Sequence, residues 1–271
     1  MFIRKIAQKL YKIYFVVTLI SYNLLLYNVG NFIQLFILDE SKKLSVWNSL
    51  QGFALRTFLS FVGIDTKYSN VPPKSKRFIF ASNHTSYLDG FLYSAILRRC
   101  LFDIVEPYDK LPFFTRPWLR PLHYVPVFRD KNDEKNYHEG LSKKKAIQES
   151  VKNLKKESML IFPEGHIERH HRFLYFHTGT IRIALQAKIN IIPCHIFHSD
   201  KVIEYHMAWV KPGVVTIVFG KEWDLSKYYG KHNDHNLVRK LTLELEEKIK
   251  KLHPDYKQIY KEEQKLKECK Y

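Results

Sequence analysis

The feature that most constrains how this chain can fold is an uncharged stretch near its N-terminus, from Ile13 to Leu38. The stretch is longer than the roughly 20 residues that a helix needs to cross a bilayer, and it follows a basic segment at positions 4–12. It is too long for a cleaved signal peptide, and no small-x-small cleavage site follows it. The sequence therefore predicts an N-terminal helical segment, residues 1–66, that associates with a membrane.

A cluster of turn-forming residues, Asn28–Asn31, interrupts this stretch. The pieces on either side, Ile13–Tyr27 and Phe32–Leu38, are each too short for a full span. A second apolar stretch, Val46–Ile64, repeats its apolar residues at helical spacing. These patterns favour a helical hairpin or interfacial helices in one leaflet. A single transmembrane span and a helical cap without membrane contact are the alternatives.

The net charge of the chain limits the classes of partner that it can bind. Lys and Arg number 44 against 27 Asp and Glu, which gives a net charge of +17 and favours anionic lipid, nucleic acid or an acidic or phosphorylated substrate. The cations are spread along the chain without a recognised nucleic-acid motif, so we expect no nucleic acid partner. Cys100, Cys194 and Cys269 lie far apart, which argues against a disulfide framework and a structural zinc site.

Beyond residue 76 short apolar segments alternate with amphipathic ones. The pattern predicts strands at 77–81, 101–105, 124–128, 159–162, 191–197 and 214–219, and helices at 90–99, 143–157, 180–187 and 237–252. Such alternation is typical of an α/β fold with a mixed, mainly parallel sheet flanked by helices. We expect an α/β domain at 67–225, followed at 226–271 by a charged amphipathic helix and tail.

A histidine and an aspartate follow the first of these strands. Ligands of α/β folds bind at the carboxyl ends of strands, where His84 and Asp89 lie. If His84 precedes the helix and Asp89 begins it, the carboxylate can hold one ring nitrogen and leave the other as a general base. The pair has no nucleophile of its own, so a substrate hydroxyl would attack. A capped helix with a hydrogen-bonded histidine is the purely structural alternative.

Two further strand ends carry polar residues. Phe162, Pro163, Glu164 and Gly165 end an apolar strand, and there the glutamate can accept from a hydroxyl or orient a backbone amide, while the glycine allows a close approach. Arg129 ends another strand, where its guanidinium can bind a phosphate in bidentate fashion. A strand-ending turn and a surface ion pair are the structural alternatives for these two features.

In order and spacing these motifs resemble the glycerolipid acyltransferases, most of all the 1-acylglycerol-3-phosphate acyltransferases. The resemblance covers about residues 77–220 and includes the Ile192-Pro193 pair. It implies transfer of a fatty acyl group from acyl-CoA or an acidic acyl-carrier protein to a lysolipid hydroxyl, with 1-acylglycerol-3-phosphate as first candidate and phosphatidic acid as product. It implies neither a metal nor a bound cofactor, and the thioester is a co-substrate.

The resemblance also assigns roles. His84 would be the general base and Asp89 would orient it, while Asn83 and residues 162–165 would contact the substrate and Arg129 would hold the acceptor's phosphate. Backbone amides of the His84 turn would stabilise the negative charge that develops on the carbonyl oxygen. Because the thioester donor is cytosolic, we expect the catalytic domain on the cytoplasmic face of the membrane.

The chain departs from the family after Gly165. The family usually continues Glu-Gly-Thr-Arg-Ser, but Ile167 occupies the position of the arginine. Arg169 or Arg172 would then supply the charge, or the acceptor is a different lysolipid, either a lysophospholipid or an amino-acid lipid. A thioester hydrolase that uses the same pair with water is a further alternative, and a non-catalytic membrane binder is another. The histidine-rich run after Gly165 lacks the pattern of a helical zinc site, so no metal is expected.

Overall fold

The computed structural model describes residues 2–36, 40–97, 101–110, 124–167, 174–203 and 210–255. Its helices and strands follow one another in this order: α1 (Phe2–Leu35), α2 (Glu40–Phe61), β1 (Ile64–Ser69), β2 (Ile79–Ser82), α3 (Asp89–Leu97), β3 (Leu101–Val105), β4 (Tyr124–Pro126), α4 (Lys131–Asn136), α5 (Lys143–Asn153), β5 (Ser158–Ile161), α6 (Gly179–Ala187), β6 (Ile191–Phe197), α7 (Ser199–Val202), β7 (Gly213–Phe219) and α8 (His235–Lys250). Single 3-10 turns lie at Tyr108–Lys110 and Ser226–Tyr228.

The described strands form one sheet in the order β1-β7-β6-β2-β5-β3-β4. Every neighbouring pair is parallel except β6 and β7, which are antiparallel. The predicted α/β fold with a mixed, mainly parallel sheet is therefore confirmed. Because β2, β5, β3, β4 and β6 run in the same direction, their carboxyl ends meet at one edge of the sheet.

Two apolar layers cover the sheet. One contains buried residues of α2 and α3 packed on β2, β6 and β7, and the other contains buried residues of α5, α6 and α8. Strands β2 and β5 are buried along their whole length, as expected for the interior of a sheet covered on both faces. The α8 helix buries Val238, Leu241, Leu245 and Ile249 in the second layer. The amphipathic helix predicted within residues 226–271 is thus present and packs on the sheet, while the predicted domain division stays a prediction.

The N-terminal helices pack against each other and against α3. The hydroxyl of Tyr11 donates to the carbonyl of Val62 at 2.7 Å, and the rings of Phe15 and Phe58 lie 6.0 Å apart. The predicted break at Asn28–Asn31 is wrong, because α1 continues through it to Leu35. Within the described residues, no helix combines the length and the apolar character that crossing a bilayer requires.

Strand β1 was not predicted. It pairs in parallel with β7, but only Ile64 is buried and the rest of the strand is polar and largely exposed, so the sequence carries no apolar signal there. The predicted domain boundary after residue 66 falls inside this strand, and the sheet domain begins at Ile64. The predicted packed segment at 112–122 and the charged tail from residue 256 lie outside the described residues.

Candidate active site

The pair predicted from sequence meets at the carboxyl end of β2. The Nδ1 atom of His84 lies 2.9 Å from Oδ2 of Asp89, which is fully buried, while 19% of the His84 side chain remains exposed. Because a carboxylate only accepts, Nδ1 carries the proton and Nε2 keeps its lone pair in the neutral ring. The geometry is that of an oriented general base.

Asp89 also fixes the backbone of the loop that carries the histidine. Its Oδ2 accepts from the amides of Thr85, at 2.8 Å, and Ser86, at 2.9 Å. Asp89 is the first residue of α3, where the positive end of the helix dipole stabilises a carboxylate. One buried oxygen therefore holds the imidazole and two amides together, so its removal would disturb both the orientation of the base and the path of the loop.

Glu164 completes the anchoring of this loop from the neighbouring strand. It is buried, with Oε1 accepting from the amide of His84 and Oε2 from the amide of Leu174, both at 3.0 Å. From sequence, Glu164 could accept from a substrate hydroxyl or orient a backbone amide. In the structure its carboxylate accepts from two backbone amides. The backbone segments at His84 and Leu174 are therefore held by one carboxylate.

The amides of His84, Thr85 and Ser86 all donate to buried carboxylates. The expectation that backbone amides of this turn stabilise the developing oxyanion is therefore wrong for these three. An amide that already donates to a charged acceptor is not available to a substrate without breaking a charge-assisted bond.

The ring of Phe162 stacks on the imidazole of His84, with centroids 4.1 Å apart and planes inclined by 15°. This contact follows from the register of the sheet, since Ala81 of β2 lies opposite Ile161 of β5. Tyr93 packs edge-on against Phe162, and its hydroxyl donates to Ser82 at 2.7 Å. The sequence motif indicated a substrate contact for Phe162. The structure shows that its ring also fixes the plane of the His84 imidazole.

Both polar atoms of the Asn83 side chain form hydrogen bonds with the protein backbone. Its Nδ2 donates to the carbonyl of Ile196 at 3.0 Å, and its Oδ1 accepts from the amide of Ile196 at 2.8 Å. The side chain thus extends the β2–β6 pairing by one step, and we assign it a positioning role in place of the predicted substrate contact. A further contact joins the hydroxyl of Thr85 to that of Ser199, the first residue of α7, at 2.7 Å, and no sequence motif indicated it.

Gly165 adopts a positive φ of 70° under the ring of His177. A Cβ at this position would lie 3.0 Å from Cδ2 of that ring, so no side chain fits without displacing it. The carbonyl of Pro163 accepts from the His177 amide at 2.8 Å. The pKa of His177 is lowered mainly by burial, and the neighbouring Lys143 and His166 act in the same direction.

Arg129 lies beyond β4 at the same edge of the sheet, within a network of ion pairs. Its guanidinium contacts the carboxylate of Glu106, which also lies 3.6 Å from the ammonium of Lys110. Lys110 in turn binds Asp133 at 2.8 Å, and Asp133 accepts from the Arg129 amide at 3.1 Å. The predicted phosphate contact of Arg129 stays a prediction. Arg169 and Arg172 lie outside the described residues.

A further carboxyl group lies behind the catalytic loop. Asp103 of β3 lies close to Gly90, the residue after Asp89. A Cβ atom at Gly90 would be 3.5 Å from Oδ2 of Asp103. Burial raises the pKa of Asp103 to about 8, although its bond from the Ile104 amide acts in the opposite direction. No sequence pattern pointed to this residue. Among the residues described, no group of three or more His, Cys, Asp or Glu side chains is arranged to hold a metal ion.

The comparison with known proteins covers this same stretch of chain. Residues 64–197 match the Acyltransferase family. The resemblance to glycerolipid acyltransferases that the motifs indicated is thereby confirmed, and the matched range includes every residue predicted for the site. A curated 1-acyl-sn-glycerol-3-phosphate acyltransferase from Cocos nucifera is 29% identical over 151 residues, and one from Chlamydomonas reinhardtii is 27% identical over 154 residues.

These alignments cover 53% and 56% of this chain and 44% of each relative, so the chain spans less than half the length of the curated acyltransferases it matches. The crystal structure of the 1-acyl-sn-glycerophosphate acyltransferase PlsC from Thermotoga maritima has the same fold, with a TM-score of 0.68. The superposition covers 90% of this chain and 97% of that one, at 20% sequence identity. The fold similarity therefore extends beyond the acyltransferase domain.

Proposed function

We propose that this protein is a membrane-associated acyltransferase that moves a fatty acyl group from a thioester to the hydroxyl of a lysolipid. The observation that carries the proposal is the 2.9 Å contact between His84 and Asp89 at the carboxyl edge of the sheet, within a stretch that matches the Acyltransferase family. The donor is acyl-CoA or an acyl-carrier protein. The first candidate acceptor is 1-acylglycerol-3-phosphate, the substrate named for the curated relatives.

The chemistry begins with the acceptor hydroxyl. Nε2 of His84 removes its proton as the oxygen attacks the thioester carbonyl, so that a C–O bond forms and the carbonyl oxygen becomes an oxyanion. Collapse of this intermediate breaks the C–S bond. The proton held by His84 then passes to the departing thiolate, which restores the neutral imidazole and releases a free thiol.

Three neighbours support this step without touching the reacting atoms. Asp89 stabilises the imidazolium that forms and keeps the proton on Nδ1. Phe162 holds the plane of the ring by stacking on it, and Glu164 holds the backbone of His84. Together they limit the base to one orientation, which lowers the entropic part of the activation barrier.

The acceptor's phosphate would meet the cationic part of the same edge. Arg129 lies beyond β4, and we infer that Arg169 or Arg172 supplies the charge of the arginine that the family usually has at position 167. The specific observation that favours an alternative acceptor is Ile167 itself, since an aliphatic side chain cannot bind phosphate. A lysophospholipid or an amino-acid lipid is therefore the second candidate.

Membrane association is inferred from the surface of α1. Ile6, Leu10, Ile13, Val17, Ile20 and Leu24 are all exposed and recur at intervals of three and four residues. They form an apolar stripe on one side of the helix, which suits an interfacial helix with the net charge of +17 attracting anionic lipid. We infer that the catalytic domain lies on the cytoplasmic face, where the thioester donor is found.

The test is the release of thiol from a long-chain acyl-CoA by the full-length protein in detergent. The assay is run with lysophosphatidic acid, with other lysolipids and with no acceptor. Release that depends on lysophosphatidic acid supports the first candidate, and release that depends on another lysolipid identifies the second. Release that ignores every acceptor would favour a thioester hydrolase. If no acceptor supports release, acyl-carrier protein is the donor to try next, and failure with both donors would contradict the proposal.

A further inference from the structure

An open groove of about 680 Å³ lies on α2, and none of the residues assigned to the His84 site lines it. The described residues that line it recur at intervals of three and four along the helix, so they form a single stripe. They are Phe53, Arg56, Thr57, Ser60 and Phe61. The opposite face of the helix is buried in the core through Ala54, Leu55, Phe58, Leu59 and Val62. The groove therefore belongs to the outer surface of the helix pair.

Arg56 brings an unsatisfied donor to this groove. Its Nε atom is buried and has no hydrogen-bond partner within the described part of the chain. A guanidinium keeps its positive charge at any physiological pH, and its planar donors match the oxygens of a phosphate. Leaving such a donor buried without an acceptor is unfavourable. Because this Nε is closed to solvent, an anionic ligand in the groove would bind the terminal nitrogens of the Arg56 guanidinium.

The other lining residues indicate which kind of anion fits. Phe53 and Phe61 expose 62% and 64% of their surface, so two aromatic rings flank the arginine. The hydroxyl of Thr57 already donates to the Phe53 carbonyl at 3.0 Å, which leaves Ser60 as the further hydroxyl donor. Aromatic rings suit acyl chains and the membrane interface. A free phosphate ion would not use these rings, whereas a phospholipid would use both the rings and the charge.

We propose that this groove binds the phosphate of a membrane glycerophospholipid through Arg56, as a lipid site separate from the one that contains His84 and Asp89. The inference rests on the membrane association proposed above and does not depend on acyl transfer. Helix α1 packs against α2, so the exposed apolar stripe of α1 would bring lipid to the groove. A lipid held there fastens the helix pair to anionic membrane.

The experiment measures lipid binding directly, by native mass spectrometry of the full-length protein in detergent. The probes are phosphatidylglycerol and a diacylglycerol with the same acyl chains, which differ in the phosphate-containing headgroup. Arg56→Gln removes the charge, Arg56→Lys keeps the charge without the planar fork, and Lys9→Gln removes an exposed charge from α1 as the matched control. Far-ultraviolet circular dichroism and melting temperatures verify that the variants fold.

We expect the protein to retain phosphatidylglycerol and not diacylglycerol. A cation near an anionic surface contributes a factor of about five to binding. Arg56→Gln should weaken the binding of phosphatidylglycerol by well over this factor. Arg56→Lys should also bind phosphatidylglycerol more weakly than the wild type does. Lys9→Gln should stay within that factor, and His84→Ala should bind as the wild type does. Equal losses in Arg56→Gln and Lys9→Gln, equal binding of diacylglycerol, or loss of the lipid in His84→Ala would each overturn the inference. Lipid binding without acyl transfer would contradict the proposed function alone.

Discussion

Two polar regions at the carboxyl edge of the sheet are built in opposite ways. Around His84, buried carboxylates bind backbone amides, and Asp89 has no exposed surface. Around Arg129, the guanidinium pairs with the side chain of Glu106, and 35% of the Arg129 side chain and 24% of that of Glu106 remain exposed. The first region has one geometry because the backbone fixes its donors. In the second, solvated ion pairs can exchange a partner at small cost.

This difference separates catalysis from acceptor binding. The base must be held in a single orientation before the substrate arrives, which buried amide contacts achieve. A phosphate, by contrast, has to displace an existing partner of the arginine, which is easier where that partner is half-exposed. Substitutions of the buried carboxylates in the first region should therefore change the rate and the stability together, whereas substitution of Arg129 in the second should change the affinity for the acceptor.

The largest effect is expected from Asp89→Asn. Asparagine keeps an oxygen that can take the place of Oδ2, but it loses the negative charge that strengthens the bonds from the two amides and would stabilise the imidazolium. We expect the turnover rate to fall by about 10²–10⁴-fold and the free energy of unfolding to fall by about 1–3 kcal/mol. Steady-state kinetics and urea unfolding measure both. Asp130 caps α4 by accepting from the amides of Asn132 and Asp133. Asp130→Asn is the control, since asparagine caps a helix as well as aspartate, and equal losses in both variants would contradict the special role of Asp89.

A smaller effect is expected from Glu164→Gln. Glutamine can accept from only one of the two amides that Glu164 binds, so the segments at His84 and Leu174 lose their common anchor. A catalytic group displaced by about 1 Å costs about a hundredfold in rate, and we expect a loss of that order with little change in KM. The exposed Glu149 supplies the control variant Glu149→Gln. A rise in KM with an unchanged turnover rate would instead make Glu164 a substrate contact.

The Asp103 carboxyl predicts a pH dependence of stability behind the catalytic loop. Its pKa is raised from 3.8 to about 8 in the folded protein, so the folded state binds a proton that the unfolded state releases. The stabilisation is complete below about pH 4 and is lost as the pH rises towards 8. Melting temperatures of the wild type and Asp103→Asn across this range provide the measurement. We expect the slope to be shallower in the variant, and parallel curves would contradict the assignment.

The smallest effect on stability is expected from Arg129→Ala. Half-exposed ion pairs contribute about 0–1 kcal/mol, so the melting temperature should hardly change. The KM for lysophosphatidic acid should rise by about tenfold, since hydrogen bonds to charged groups contribute about 1.5–3 kcal/mol. The KM for a monoacylglycerol without phosphate should stay constant. Lys131→Ala is the control, and equal changes for both acceptors would show that Arg129 does not contact the phosphate.

The sequence predicted the contact between His84 and Asp89 because its signal is local. His84 and Asp89 are five residues apart across the end of a strand, so a single turn decides whether they meet. The roles of Glu164 and Asn83 could not be predicted in the same way. Both contacts cross between strands distant in the chain, and only the register of β2 with β5 and β6 brings their side chains to those amides.

The errors in the fold have equally local causes. The predicted break in α1 relied on Asn28 and Gly30, but one glycine costs a helix only about 1 kcal/mol. The Asn28 side chain donates to the Leu24 carbonyl within the helix at 2.7 Å, so it does not compete for the backbone there. Strand β1 was missed because an edge strand with exposed polar residues has no apolar period.

The central claim is that His84 removes the proton from an acceptor hydroxyl. The most direct test is the formation of phosphatidic acid from acyl-CoA and lysophosphatidic acid, detected by mass spectrometry, in His84→Ala and in the wild type. His138→Ala, which removes an exposed histidine, serves as the control. We expect His84→Ala to lose about 10²–10⁴-fold of the rate while its melting temperature stays near that of the wild type and the control remains active. Undiminished product formation by folded His84→Ala would contradict the account.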